Sequence, residues 1–142
     1  MIREKVPDFK KALSLIEIAK IDLNFVLKFP LNNDSTNTIV RNIYESFRML
    51  GEALLTAEGI KSEDHTLPVK RVVSLDIRTD RPLMILEMLR STRRNINYYG
   101  YHATIAEAEY AVDFAKKCFE PVYQKVLKIL RDMQNNSYSS PK

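Results

Sequence analysis

Apolar residues recur at three- and four-residue steps in four long stretches of this chain, the spacing that gathers side chains on one face of an α-helix. The first stretch covers roughly 8–29, with Phe9, Ala12, Leu13, Ile16, Leu23, Val26 and Leu27 on one stripe. Pro30 closes it, because proline disfavours helical geometry in the residue before it. After the polar turn at 31–35, where Asp34 or Ser35 can cap, a second stretch covers 36–58 with Ile39, Ile43, Phe47, Leu50 and Leu54 on its stripe. Gly59 stands where a left-handed C-cap is wanted, and Ile60 can supply the accompanying apolar contact. Residues 61–80 are less regular, with a short helix expected to carry Pro68 in its first turn and run through Val72 and Val73.

The third long helix is expected from near Pro82 to near Gly100, with a cap at Thr79 or Asp80. Ile85, Met88, Leu89 and Ile96 share one face, and Glu87, Arg90 and Arg94 another. The fourth opens on Thr104-Ile105-Ala106-Glu107, a capping box in which hydroxyl and carboxylate each satisfy a free backbone N–H. Its stripe continues from Ala108 to Met133, and Pro121 predicts a kink within it. Residues 135–142 lack periodicity and are expected to stay without ordered structure. Four amphipathic helices with short connections hide their stripes by packing side by side. The expected fold is all-α: a single domain over 1–134, an antiparallel four-helix bundle with an extra short helix.

Composition narrows this further. Three glycines in 142 residues are too few for the tight turns of an all-β fold. No apolar run approaches a membrane span, so no membrane partner is expected. Lysines at 5, 10, 11 and 20 do not read as a signal peptide. A lone cysteine, Cys118, fits packing in a reducing, cytoplasmic setting. One cysteine and two histidines do not make a zinc site, and no cofactor pattern is present. Met84 and Met88 read as core or interface.

Charge is more pointed. Residues 70–94 hold Lys70, Arg71, Arg78, Arg81, Arg90, Arg93 and Arg94 against Asp76, Asp80 and Glu87, a surplus equal to the +4 of the whole chain. A localised arginine-rich surface suits RNA or a nucleotide; a solvated helix face is the plainer alternative. The stretch from Arg93 to His102 adds two amides, three tyrosines and a histidine. Arginine grips phosphate and histidine moves protons. Arg94 serves either phosphate or an ion pair with Glu87 or Glu107. Tyr98, Tyr99 and Tyr101 serve either base stacking or an interface. His102 serves either as an acid–base or as a polar residue beside the fourth helix cap. His65 reads as a hydrogen-bonding element ahead of the short helix.

Two segments together resemble the HEPN family (higher eukaryote and prokaryote nucleotide-binding) of small helical proteins. Tyr44, Phe47, Ala53-Leu54-Leu55, Gly59-Ile60 and the Ser62…His65 element are similar to that family's second helix and its continuation. Arg94 to His102 lies where the family carries Arg-x(4–6)-His. With the fourth helix, the resemblance spans essentially the whole chain. It implies a two-fold homodimer with the signature regions facing each other. It also implies partnership with a minimal nucleotidyltransferase in a toxin–antitoxin type system, and it matches Arg94 to the signature arginine and Asn95 to the amide after it; with the basic neighbours Arg90 and Arg93 and the tyrosines Tyr98, Tyr99 and Tyr101, these make the expected nucleotide or RNA phosphate site. Many members are metal-independent endoribonucleases, which here would use Arg94 and His102 as catalytic residues. Tyr99, however, stands at the expected histidine position, and seven residues separate Arg94 from His102. A phenol with a pKa near 10 is a poor base at neutral pH, so binding is expected with weak or absent hydrolysis. Tyr101 falls where one branch of the family carries a modified tyrosine. A helical scaffold without ligand is the third alternative.

Overall fold

A computed structural model describes residues 2–4 and 6–139. The fold is all-α, with one small strand pair. In chain order it comprises β1 (Ile2–Glu4), α1 (Phe9–Val26), α2 (Thr36–Glu58), β2 (Ile60–Ser62), α3 (Leu67–Val73), α4 (Ile85–Tyr99) and α5 (Ile105–Ser139). No helix among the described residues is long and apolar enough to cross a membrane.

α1 begins one residue later than the periodicity suggests because Asp8 caps it, its carboxylate accepting from Lys11 N at 2.9 Å. It also ends earlier. Leu27 is the C-cap, and Lys28 and Phe29 donate to the carbonyls of Phe25 and Val26, a tightened turn that dissolves the helix ahead of Pro30. At the start of α2 the expected cap is corrected. Ser35 occupies the N-cap position, but its hydroxyl turns back and donates to Pro30 O at 2.6 Å. Asn32 instead organises the loop, its side-chain oxygen accepting from the N–H groups of Asp34 and Ser35.

α2 is the central element, in contact with α1, α3, α4 and α5. Its buried residues cover a broad face, from Ile39, Ile43 and Leu50 round to Val40, Tyr44 and Leu55, wider than a single stripe, while Thr38, Arg41, Glu45 and Glu52 lie on the other side. Phe47 packs on Phe114 and Phe119 of α5, with ring centres 4.9 and 5.3 Å away. Gly59 ends α2 at φ 72°, in the left-handed region expected of it. α3 carries Pro68 in its first turn and lies directly on α2. A Cβ at Gly51 would meet the Pro68 carbonyl oxygen at 1.9 Å, so only glycine lets the two backbones approach this closely.

α4 starts at Ile85, not near Pro82. Residues 82–87 form successive i→i+3 turns, and the Thr79 hydroxyl donates to Arg81 O rather than capping a helix. Its buried face is Ile85, Leu86, Leu89 and Ile96, whereas Met88 is exposed. Gly100, at φ 67°, terminates it. The capping box of α5 forms in both directions: Thr104 N donates to Glu107 Oε1 at 2.9 Å, and Glu107 N to Thr104 Oγ1 at 3.1 Å. α5 continues through Pro121 and reaches Ser139, beyond the boundary at 134 that periodicity set. Residues 140–142 of the expected tail lie outside the described residues.

The strand pair was not legible in the sequence. β1 runs antiparallel to β2, pairing Ile2 with Ser62, Arg3 with Lys61 and Glu4 with Ile60. It ties the first residues of the chain to the segment that leads into α3.

Candidate anion-binding cleft

α4 has few apolar residues, and its helical repeat sets Arg90, Arg93, Arg94 and Tyr98 on neighbouring positions of one side. That side faces α2 and the turn between β2 and α3. The three elements enclose a cleft of about 650 Å³. Tyr44, Glu45 and Arg48 of α2 line it, opposite the four α4 residues, and Glu63, Asp64, His65 and Thr66 of the turn close the third side.

The turn is organised by Asp64, whose carboxylate accepts from Thr66 N at 2.9 Å and Thr66 Oγ1 at 2.7 Å. These bonds hold the Asp64 carboxyl below its ordinary value. On α2, Glu45 grips Arg48 with both oxygens, at 2.9 and 2.6 Å, and Glu52 approaches the same guanidinium at 3.5 Å. On α4, Arg90 bonds Glu87 at 3.0 Å.

Two arginines of the cleft have no carboxylate partner among the described residues. Arg93 sits over the Tyr44 ring, 5.2 Å from its centre. Arg94 is exposed and makes no hydrogen bond or ion pair among the described residues. Neither alternative partner takes it: Glu87 holds Arg90, and Glu107 is engaged at the α5 cap. The Tyr44 phenol is pushed up by burial, against the opposing pull of Arg93, Arg90 and Arg48, and so stays protonated at neutral pH. The cleft therefore presents two guanidiniums without a carboxylate partner among the described residues, one imidazole and two phenols, beside the carboxylates of Glu45, Glu63 and Asp64; the two guanidiniums can receive an anion.

The remaining candidates lie elsewhere. The imidazole of His102 bonds the Asn33 carbonyl at 2.6 Å, and Asn37 binds the Tyr101 carbonyl and Ala103 N. This clasp joins the α4–α5 loop to the start of α2. Asn37 is two turns of α2, about 10 Å, from Tyr44, and His102 is absent from the cleft lining. Tyr101 donates its hydroxyl to Glu107, which raises the phenol's pKa. The Asn95 carbonyl accepts from Tyr101 N at the helix end. Tyr99 is 75% exposed and outside the cleft, whereas Tyr98, 71% exposed, stands at its rim.

Arg94 is thus brought together with Arg90, Arg93 and Tyr98, but not with His102. The histidine that shares its cleft is His65, from a turn with no helical period to mark it. The only sequence signal for that pairing is the Ser…His element following Gly59-Ile60. On the other side of α4 a separate, mainly apolar groove of about 350 Å³ is lined by Val40, Met88, Leu89, Ala106 and Tyr110.

No protein-family model, curated protein or solved structure matches this chain.

Proposed function

We propose that this chain is a HEPN-like four-helix bundle with an extra short helix. In this reading it works as a cytoplasmic homodimer that binds nucleotide or RNA phosphates as a component of a nucleotidyltransferase-linked, toxin–antitoxin type system. The observation that carries the reading is the pair Arg93 and Arg94 in a concave site, both without a carboxylate among the described residues. Arg48, Arg71, Arg81 and Arg90 are each held by a carboxylate, whereas Arg93 and Arg94 face the cleft without one among the described residues. The resemblance of residues 43–65 and 94–102 supports the family and the partner.

The test is binding of a labelled single-stranded RNA across a salt series. Affinity should fall with salt as counterions are released, and Arg94→Ala should weaken it about tenfold. Turnover should be weak or absent, because Tyr99 stands at the expected histidine position and His102 is held on Asn33. Affinity indifferent to Arg94→Ala would reject the site. Light scattering should give a dimer at micromolar concentration; a monomeric mass would reject that part of the proposal.

A further inference from the structure

The two helical walls of the cleft continue past its lining. On α2, Arg41 stands one turn before Tyr44 and Glu45; on α4, Asn97 stands one turn after Arg93 and Arg94. These two turns meet across the seam of the helices, where the Arg41 guanidinium donates to Asn97 Oδ1 at 3.4 Å, between residues 56 apart in the chain. The bond is long and its acceptor neutral, so it orients the guanidinium without cancelling its charge. Glu45, four residues on along α2, is placed to pair with Arg41, but both of its oxygens are occupied by Arg48. Arg41 is exposed and has no carboxylate partner among the described residues. The α2–α4 seam therefore carries a row of three such arginines: Arg93 and Arg94 in the cleft, and Arg41 about 5 Å, one helical turn, further along.

Resting on the phosphate-binding reading above, we infer that the site spans two successive phosphates of one ligand. Arg93 and Arg94 hold the first, and Arg41, oriented by Asn97, holds the second. A lone phosphate engages one end of the row and leaves the other to water; two phosphates in series engage both. A guanidinium has five N–H donors in a planar fork, and Asn97 takes one of those on Arg41, which leaves a pair for phosphate oxygens. Tyr98, next to Asn97 and one turn beyond Arg94, sets an exposed ring at the cleft rim for a base attached to those phosphates. A single-stranded RNA and a nucleoside diphosphate both present phosphates in series; only the linkage between the phosphates differs.

The experiment measures the affinity of the full-length protein for two pairs of ligands, each pair differing by one phosphate. The first pair is the hydroxyl-ended uridine dinucleotide and trinucleotide, with one and two internal phosphates. The second is adenosine monophosphate and adenosine diphosphate. The second phosphate should strengthen binding about fivefold in at least one pair. Arg41→Gln should abolish that gain and leave the one-phosphate affinities and the melting temperature unchanged. Arg78→Gln removes the same charge from an exposed arginine on another surface, beside Leu83 and Met84, and should keep the gain. A gain confined to the RNA pair identifies a strand as the ligand, and one confined to the adenosine pair identifies a free nucleotide. No gain in either pair overturns the inference, as does a gain that survives Arg41→Gln or falls equally in Arg78→Gln. If Arg94→Ala still weakens every ligand in that case, the broader phosphate-binding function stands. No effect of Arg94→Ala on any ligand rejects the phosphate site itself.

Discussion

Tyr123 of α5 donates its hydroxyl to the carboxylate of Glu17 on α1, and the Lys20 ammonium lies 4.6 Å from the centre of the same ring. One phenol thus joins the first and last helices through an acid on one side and a cation on the other. Burial, then the Glu17 hydrogen bond, push this phenol up to about 12. In the unfolded chain it titrates near 10, so its contribution is complete below that pH and is lost as pH rises towards 12. Chemical denaturation at several alkaline pH values should show that loss, and Tyr123→Phe should remove the component, at some cost in stability near neutrality.

The acid limb has a counterpart at the α5 cap. Burial pushes the Glu107 carboxyl up, but the backbone N–H of Thr104, the Tyr101 hydroxyl and the Thr104 side chain outweigh it and leave the group below its ordinary 4.5. A depressed carboxyl stabilises the fold above its unfolded value and loses that contribution as pH falls through the folded one. Glu107→Gln keeps an acceptor for Thr104 N and removes the charge. Its stability should therefore vary less with pH below 4.5 than that of the parent protein. An identical acid profile would count against this carboxylate.

Thr104→Ala removes the other half of the same box. It should lower stability by roughly 1 kcal/mol, measured by urea denaturation, and leave phosphate affinity unchanged because the cap lies outside the cleft.

Gly51→Ala should act where α2 meets α3. Its added carbon would meet the Pro68 carbonyl oxygen at 1.9 Å, so one of the two backbones must shift. A loss of roughly 1–3 kcal/mol is expected from such overpacking. The displacement of α3 should also shift the turn that carries His65. Thermal unfolding and RNA affinity should therefore both suffer, unlike in Thr104→Ala; unchanged melting would show that α3 yields freely.

The Tyr44 platform separates ring from hydroxyl. Tyr44→Phe keeps the surface under Arg93 and should retain most anion affinity. Tyr44→Leu removes the ring, and the guanidinium loses about 0.5–1 kcal/mol of positioning. Equal affinities in the two variants would mean that the ring does not orient Arg93.

Local signals read well from the sequence where a residue acts on its immediate neighbours. The Thr104–Glu107 box, the Gly59 cap, the extent of α2 and the placement of Pro68 in α3 are of this kind. The arginines of α4 fall together for the same reason, since helical repeat alone places Arg90, Arg93, Arg94 and Tyr98 side by side. Contacts between distant segments were not legible. The three-residue strands have no period long enough to register, and β1 finds its partner nearly sixty residues away. His102 lies close to Arg94 in sequence but is drawn to Asn33, whereas His65 comes to the cleft across the α2–α3 packing. Sequence proximity favours the first histidine; tertiary packing brings in the second.

The central place of α2 has a consequence for how the chain can be divided. With that helix removed, α1 keeps contact only with α5, and α3 only with α4, among the principal helix pairings. Neither pair retains the surface that covers its apolar side. Fragments cut on either side of α2 should therefore need it restored before they recombine, and a nick within it should abolish both halves rather than release a folded piece. The molecule comes apart as a wheel does when its axle is withdrawn.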